Sequence, residues 1–320
     1  MAQTGDIKRR IKSVSNTKKV TKAMEMVAAS KMRKATANVL ATRSYSGLAW
    51  DLVKNLASKT DSKYHPLLQK KSEVKKVGLV LVTSNRGLCG GFNSQIIQKA
   101  INYIKDQQEI NKVEVDLVSL GKTGLDFMVK KSHYIAAEFE KLDVTTEITE
   151  IRPLAKLLIE DYIAGKYDRV AIAYSDFVST LVQKPRVLEL LPILSEREEK
   201  DLGQVGELMN QRNNESPPKA DAPLAQKKQE GIVSEFEYLF EPSPDEVLSE
   251  LLPRLIEMQI YQAVLESDAS EHSARMVAMR NASDAAADMI DELTLIFNKA
   301  RQASITSELA DISGGRIAME

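Results

Sequence analysis

Between Asp6 and Ser46 the chain contains neither glycine nor proline, and between Arg254 and Ser313 it again contains neither. These are the residues that most readily end a helix, so both ends are free to run as unbroken helices. At about 1.5 Å per residue such segments reach roughly 60 to 90 Å. An ordinary globular helix has about 11 to 12 residues. A molecule whose two ends both overshoot that norm is expected to be elongated, with its first and last helices paired.

The C-terminal segment carries the sharper repeat. Positions 248, 251, 255, 258, 262, 265, 269, 272, 276, 279, 283, 286, 290, 293, 297 and 300 advance in alternating steps of three and four. Thirteen of these sixteen are apolar when alanine is counted, the exceptions being Gln262, His272 and Ser283. Such a repeat, sustained for so long, predicts a coiled-coil seam. Pro242 and Pro244 end the preceding segment, Ser243 or Asp245 is placed to cap the helix, and Pro253 falls in its first turns, where a missing N–H is tolerable.

The N-terminal pattern is less regular. Ile7, Ile11, Val14, Ala28, Met32, Ala35 and Val39 share one stripe, interrupted by Lys18, Thr21 and Glu25. Val20, Met24 and Val27 make a second stripe on another face. The second stripe fits either drift of the buried face along a long helix or contact with a further partner. For the two ends to pair, the chain must turn back between them, so the coil is expected to be antiparallel and intramolecular. A homodimeric coil is the alternative.

Charge bears on that choice. The formal net charge is −1, yet residues 1–47 hold eleven Lys/Arg against Asp6 and Glu25, and residues 235–320 hold seventeen Asp/Glu against six Lys/Arg. A basic amphipathic terminus suits nucleic acid or an anionic surface. It equally suits an acidic helix of the same chain, and the opposite asymmetry at the other end favours that pairing. The basic start resembles a transit peptide, but the pattern runs beyond a presequence and reads as mature structure. No run of about 18 apolar residues is present to span a membrane. Cys89 is the only cysteine, so no intramolecular disulfide can form and a reducing compartment is expected.

Between the helices, apolar runs alternate with helical patterns. Strands are expected at 77–83, 113–119, 133–139, 169–174 and 187–191, and helices at 92–108, 121–130 and 147–164, the last ended by Gly165. That alternation predicts an α/β domain with a small, mostly parallel sheet. Residues 196–232 are polar and include Pro217, Pro218 and Pro223, which reads as a mobile surface insertion. The expected organisation is therefore a helix over 1–60, an α/β domain over 74–195, the insertion, and a second long helix over 233–320.

No catalytic constellation stands out. The segment TSNRGLCGGFN at 83–93 follows a strand and opens a helix, where backbone N–H groups can cradle a phosphate. It matches neither common phosphate-loop pattern, so a tight turn made by Gly87, Gly90 and Gly91 is the better account. Cys89 has no histidine near it in sequence, and His272 falls on the coiled-coil seam, as a core residue would. No His/Cys pair has metal-ligand spacing. The carboxylates at 284, 288, 291 and 292 read as a solvated face. These absences suit a binding or mechanical part. A nucleotide-dependent α/β enzyme and a nucleic-acid-binding coil are the alternatives.

Four separated runs carry a family resemblance: IKRRIKSVSNTKKVTKAMEMVAASKMRKA (7–35), the turn at 83–93, EHSARMVAMRNASD (271–284) and FNKARQASITSEL (297–309). Together they resemble the gamma subunits of F-type ATP synthases, in the same order and over nearly the whole chain. The resemblance implies a non-catalytic rotor whose antiparallel coiled coil turns inside a ring of three alpha and three beta subunits. It implies a Rossmann-like foot beside epsilon and the c ring, a single copy per complex, no cofactor or metal, and a place on the cytoplasmic face of a bacterial plasma membrane. By the same resemblance, Met24, Arg275, Arg301, Gln302, Thr306 and Glu308 contact the ring, and Tyr238 and Glu241 contact the foot's partners. Small residues such as Ala269, Ser273, Ala278, Ala282 and Ala285 to Ala287 would keep the C-terminal helix slim.

Overall fold

The computed structural model describes residues 2–59, 65–69, 71, 73–144, 147–193 and 244–317. The expected insertion at 196–232, together with Ser243, Tyr238 and Glu241, lies outside the described residues. Helix α1 spans Ala2–Lys59 and covers 58 residues. The last helix, here α5, spans Pro244–Ile317 and covers 74. Both run past the glycine- and proline-free cores, through Gly5 and Gly47 in α1 and Gly314 and Gly315 in α5, although a glycine costs a helix roughly 1 kcal/mol. Helix α5 begins at Pro244 and continues through Pro253. Asp245 therefore lies inside the first turn rather than capping it.

The two helices run antiparallel within one chain. The hydroxyls of Thr21 and Ser283 are 2.7 Å apart, and Thr42 Oγ1 donates to Gln262 Oε1 at 2.7 Å. From 21 to 42 on α1 and from 283 back to 262 on α5 is 21 residues in each case, or three heptads. The same register sets Ile7 level with Phe297, Ile11 with Leu293 and Val14 with Ile290. Thr21, Ser283 and Gln262, read in sequence as breaks in the apolar stripes, thus meet partners across the seam.

Among the described residues of the distal coil, no ion pair joins α1 to α5. Along the distal coil the ion pairs are local, Arg9 with Asp6 and Lys22 with Glu25. Lys8, Arg10, Lys12, Lys18 and Lys19 are exposed, as are Asp284, Asp288, Asp291 and Glu292. The reason is geometric: a seam of small and apolar residues brings the axes close, and long charged side chains point away from it.

The middle of the chain forms five strands: β1 (Lys76–Val82), β2 (Glu114–Leu120), β3 (Ile135–Phe139), β4 (Arg169–Phe177) and β5 (Gln183–Leu191). Their order is β3-β2-β1-β4-β5. The first four are parallel and β5 is antiparallel to β4. Helices α2 (Phe92–Lys105), α3 (Lys122–Lys130) and α4 (Arg152–Ile163) connect them. Expected and observed boundaries differ in two instructive places. Pro153 sits at the start of α4, where its fixed φ suits a first turn, so Ile148–Glu150 forms a separate 3-10 turn. Strand β4 runs past Tyr174 to Phe177 because β5 pairs with it over that length, and Ser175 and Asp176, polar in sequence, are buried there. Pro185 is tolerated in β5 because that strand is an edge.

Side chains alternate across the sheet with the period of two that strands impose. Val80, Val82, Val118, Leu120, Val170, Ile172 and Tyr174 face α4 and the α1–α5 pair. Leu79, Leu81, Leu117, Ala171 and Ala173 face Ile96, Ile97, Ala100 and Ile104 of α2 and Met128 of α3. Complete burial of each large apolar side chain contributes about 1.5 to 3 kcal/mol. The shaft is therefore built into the core of the α/β domain.

Candidate functional site: a collar around the last helix

Residues 259–273 of α5 are buried on every side. A coiled-coil helix covers one stripe, so complete burial needs a second surface, and the sheet supplies it. Beyond Met279, seam positions 283, 286, 290, 293, 297 and 300 stay buried or half-buried while most residues between them are exposed. The heptad reading holds for the distal shaft. In the proximal part it misses the face formed by Leu252, Ile256, Ile260 and Ala263, which joins the domain core.

The collar forms where the parallel strands end. From β1 the chain winds outward through β2 to β3, then crosses to β4 on β1's other side. In open α/β sheets the crevice outside the carboxyl ends at such a reversal is where ligands bind. Here α5 lies in it. Ser270 Oγ donates to the carbonyl of Ser175 at 3.0 Å, and Ser273 Oγ to that of Thr180 at 2.6 Å. Arg275 Nη2 donates to the carbonyls of Arg86 at 3.1 Å and Gly87 at 3.3 Å, in the β1–α2 turn. A Cβ on Gly90 would lie 3.8 Å from that of Ala278.

The turn differs in detail from its sequence reading. Left-handed backbone occurs at Leu88 (φ 63°) and Gly90 (φ 57°), not at Gly87 or Gly91. Gly91 instead takes the N-cap position of α2. Asn93 closes the turn: its Oδ1 accepts from Ser84 N–H, and its Nδ2 donates to Ser84 Oγ at 2.7 Å and toward Cys89 Sγ at 3.2 Å. The neighbouring start of α3 is equally occupied. Its first N–H groups go to Asn85 Oδ1, the Ser84 carbonyl and Thr83 Oγ1. At the start of α3 the N–H groups that would hold a phosphate are thus used internally. An adjoining open groove of about 550 Å³ mixes Arg86 and Lys122 with Glu138, Glu140 and Asp143.

A buried ionic cluster sits inside the collar. Lys141, from the segment after β3, is 3% exposed and reaches Asp268 Oδ1 at 2.8 Å and Glu271 Oε2 at 2.6 Å. Burial alone would push the lysine's pKa down, but the two carboxylates outweigh it and hold the ammonium above its ordinary range. Glu271 Oε1 accepts from Arg275 Nη1 at 2.8 Å. Burial would raise the pKa of Glu271, but Lys141 and Arg275 keep it below the usual carboxylate value. His272 Nε2 contacts the Asp143 carbonyl at 2.6 Å, which makes Nε2 the protonated nitrogen of the neutral ring. Burial lowers its pKa. Asp143 Oδ2 accepts from Lys31 of α1 at 2.8 Å, and that hydrogen bond lowers its pKa. One short segment is thus fastened to both helices.

Of the residues singled out in sequence, Arg275 belongs to the collar. Met24 is 40% exposed, with Val20 and Val27 more so, and the second stripe of α1 faces outward. Arg301, Gln302, Thr306 and Glu308 are exposed near the end of α5. Thr306 Oγ1 donates to the Gln302 carbonyl, and Ser304 Oγ to Glu308. His272 is the buried seam residue expected of it, and Cys89 is a packed turn residue. Lys141, Asp143, Asp268 and Glu271 were not foreseen. A hint lay in ESDASEH at 266–272, charged residues gathered where the heptad seam itself turns polar at Gln262 and His272.

A family model described as ATP synthase matches residues 3–319. The ATP synthase gamma chain of Roseiflexus castenholzii is 42% identical over 320 residues, covering 100% of this chain and 99% of that one. That of Pelotomaculum thermopropionicum is 41% identical and fully covered. Among solved structures, the fold is similar to the rotor of Euglena gracilis mitochondrial ATP synthase in rotational state 1, with TM-score 0.56, 17% identity, and coverage of 95% of this chain and 99% of that one. It is also similar to the central stalk and c ring of the Tetrahymena thermophila mitochondrial enzyme, with TM-score 0.57, 23% identity, and coverage of 82% and 99%. With both sequence comparisons spanning its length, the chain belongs to the family of ATP synthase gamma chains.

Proposed function

We propose that this chain is the central rotor shaft of an F-type ATP synthase. The observation that carries the reading is the joint between shaft and sheet. Helix α5 fills the crevice in which an α/β domain would hold a ligand, and α1 and α5 continue beyond it as a two-stranded rod. Such a chain is built to present surface rather than to bind a nucleotide, and the exposed Val20, Met24 and Val27 stripe is a surface to present.

In this reading the α/β domain, residues 74–195, is the foot turned by the c ring as protons or sodium ions pass. The terminal helices, within 1–60 and 233–320, turn inside a ring of three alpha and three beta subunits. The off-axis coil offers each beta subunit a different face in turn. A conformational equilibrium shifts only by the difference in contact energy between its states. The chain supplies that difference and carries out no chemistry, with no cofactor or metal of its own. Met24, Arg275, Arg301, Gln302, Thr306 and Glu308 are the ring-facing positions, and Tyr238 and Glu241 meet the c ring and epsilon. One copy serves each complex, as a peripheral part at the cytoplasmic face of a bacterial plasma membrane. No described helix is long and apolar enough to cross a membrane.

The test is biochemical. Tagged at its exposed foot, the chain should elute with alpha and beta subunits. A Met24→Cys chain, disulfide-linked to a beta subunit, should stop ATP hydrolysis until the link is reduced. Hydrolysis that continues unhindered with the link in place would refute the shaft role.

A further inference from the structure

Apolar contact is non-directional, so a helix seated by it alone can turn in its groove at little cost. Hydrogen bonds weaken steeply with distance and angle, so a polar contact fixes the angle at which a helix sits. In α5 such contacts are concentrated between Asp268 and Arg275 and reach three loops of the sheet: the segment after β3, the β1–α2 turn and, through Ser273, the β4–β5 loop. On one flank Lys141 bonds Asp268 and Glu271. On the other, Arg275 links Glu271 to the carbonyls of the β1–α2 turn. The segment bearing Lys141 is itself tied to α5 through the Asp143 carbonyl and to α1 through Lys31.

We infer that Lys141 is a torque-bearing positioning residue: held between Asp268 and Glu271, it locks the angle of the paired helices against the sheet, so shaft and foot turn as one body. This rests on the rotor reading. The energetics favour an angular role. Replacing a buried ion pair with well-packed apolar residues is often neutral or stabilising, so the pairing itself is a weak source of stability. What the charged arrangement adds is geometry. Lys141 and Arg275 balance the charges of Asp268 and Glu271, and these ion pairs and hydrogen bonds form in one orientation of the helix. Turning α5 within its collar would separate several of these bonds together.

The experiment uses the assembled complex with the alpha–beta ring fixed to a surface. A bead is attached through Lys131→Cys, an exposed site on the α/β domain; the native Cys89 is buried. The angular spread of the bead is recorded in a nucleotide-bound pause. Lys141→Met and the triple variant Lys141→Met, Asp268→Asn, Glu271→Gln, which leaves Arg275 and the serine contacts in place, should both widen the angular variance by at least about twofold, since the ionic part of the directional restraint is gone. Lys141→Arg should stay near the parent value. An unchanged variance in the triple variant overturns the proposal. So does failure of both methionine-bearing variants to assemble while Lys141→Arg assembles, because the cluster would then serve folding rather than angle. A parent complex whose bead does not rotate during hydrolysis contradicts the rotor reading instead.

Discussion

Thr21 and Ser283, 262 residues apart in sequence, share a hydrogen bond of 2.7 Å across the seam of the shaft. Thr42 and Gln262 repeat the relationship three heptads further along. Two polar bridges in one register do what leucines alone cannot. An apolar seam tolerates slippage by a heptad, whereas a half-buried hydroxyl displaced from its partner loses its hydrogen bond.

That pairing gives a first prediction. Thr21→Val leaves Ser283 without its partner and should cost about 0.5 to 1.5 kcal/mol. The double change Thr21→Val, Ser283→Ala should recover most of that loss, because two apolar groups replace both halves of the bond. Urea unfolding midpoints of the four species check the cycle.

Gly121 offers a harsher test. Its φ is +108°, and a Cβ there would lie 2.3 Å from the Thr83 carbonyl oxygen. Backbone against backbone has no flexible side chain to yield. Gly121→Ala should destabilise the α/β domain by at least about 2 kcal/mol, read from thermal unfolding, and should loosen the collar through the Thr83 segment.

The collar should respond to acid in a definite direction. His272 has a folded pKa below its ordinary 6.5 because it is buried. At a pH between the folded and unfolded values the unfolded chain binds more protons, so stability is complete above about 6.5 and falls as pH drops through the folded value. Protonation also brings a third cation beside Lys141 and Arg275. Glu271, likewise depressed below 4.5, adds a second loss at lower pH. Protection factors of the α5 amides from 268 to 275, corrected for the slower intrinsic exchange in acid, should fall between pH 7.5 and pH 5.5, and His272→Gln should remove the higher-pH part of the change.

Lys31 and Asp143 make an ion pair at 2.8 Å, but their side chains are 34% and 48% exposed. Water and salt screen such pairs, so Lys31→Ala should cost less than about 1 kcal/mol. The variant should unfold close to the parent, in contrast to Lys141→Met. A large loss at Lys31 would mean that the segment after β3 depends on α1 more than its exposure suggests.

How much of this was legible in the sequence follows from what periodicity can carry. The seam from Met279 to Ala300 lies where the steps of three and four put it, since one partner helix covers one stripe. The order of strands and helices was legible for the same reason: apolar runs and turn residues are local. The collar was not. Asp268, Glu271 and Lys141 are brought together by the crossing of α5 over the strand ends, a relationship between residues about 130 apart that no local pattern records. Charge asymmetry pointed to the pairing of the two helices but not to its contacts: along the distal coil the described basic side chains of α1 are exposed and their ion pairs are local. The left-handed positions fell on Leu88 and Gly90 because the turn is shaped by Asn93 and by the approach to Ala278, not by its glycine count.

The central claim is that the two ends of one chain form a single antiparallel axle that turns as a unit. A Thr21→Cys, Ser283→Cys chain tests it directly, since oxidation should clip α1 to α5 at the point of their hydrogen bond. The account predicts an intrachain disulfide, with no dimer on a non-reducing gel, in a complex that hydrolyses ATP before and after oxidation. A disulfide that forms only between chains, or one that stops hydrolysis until it is reduced, would contradict it.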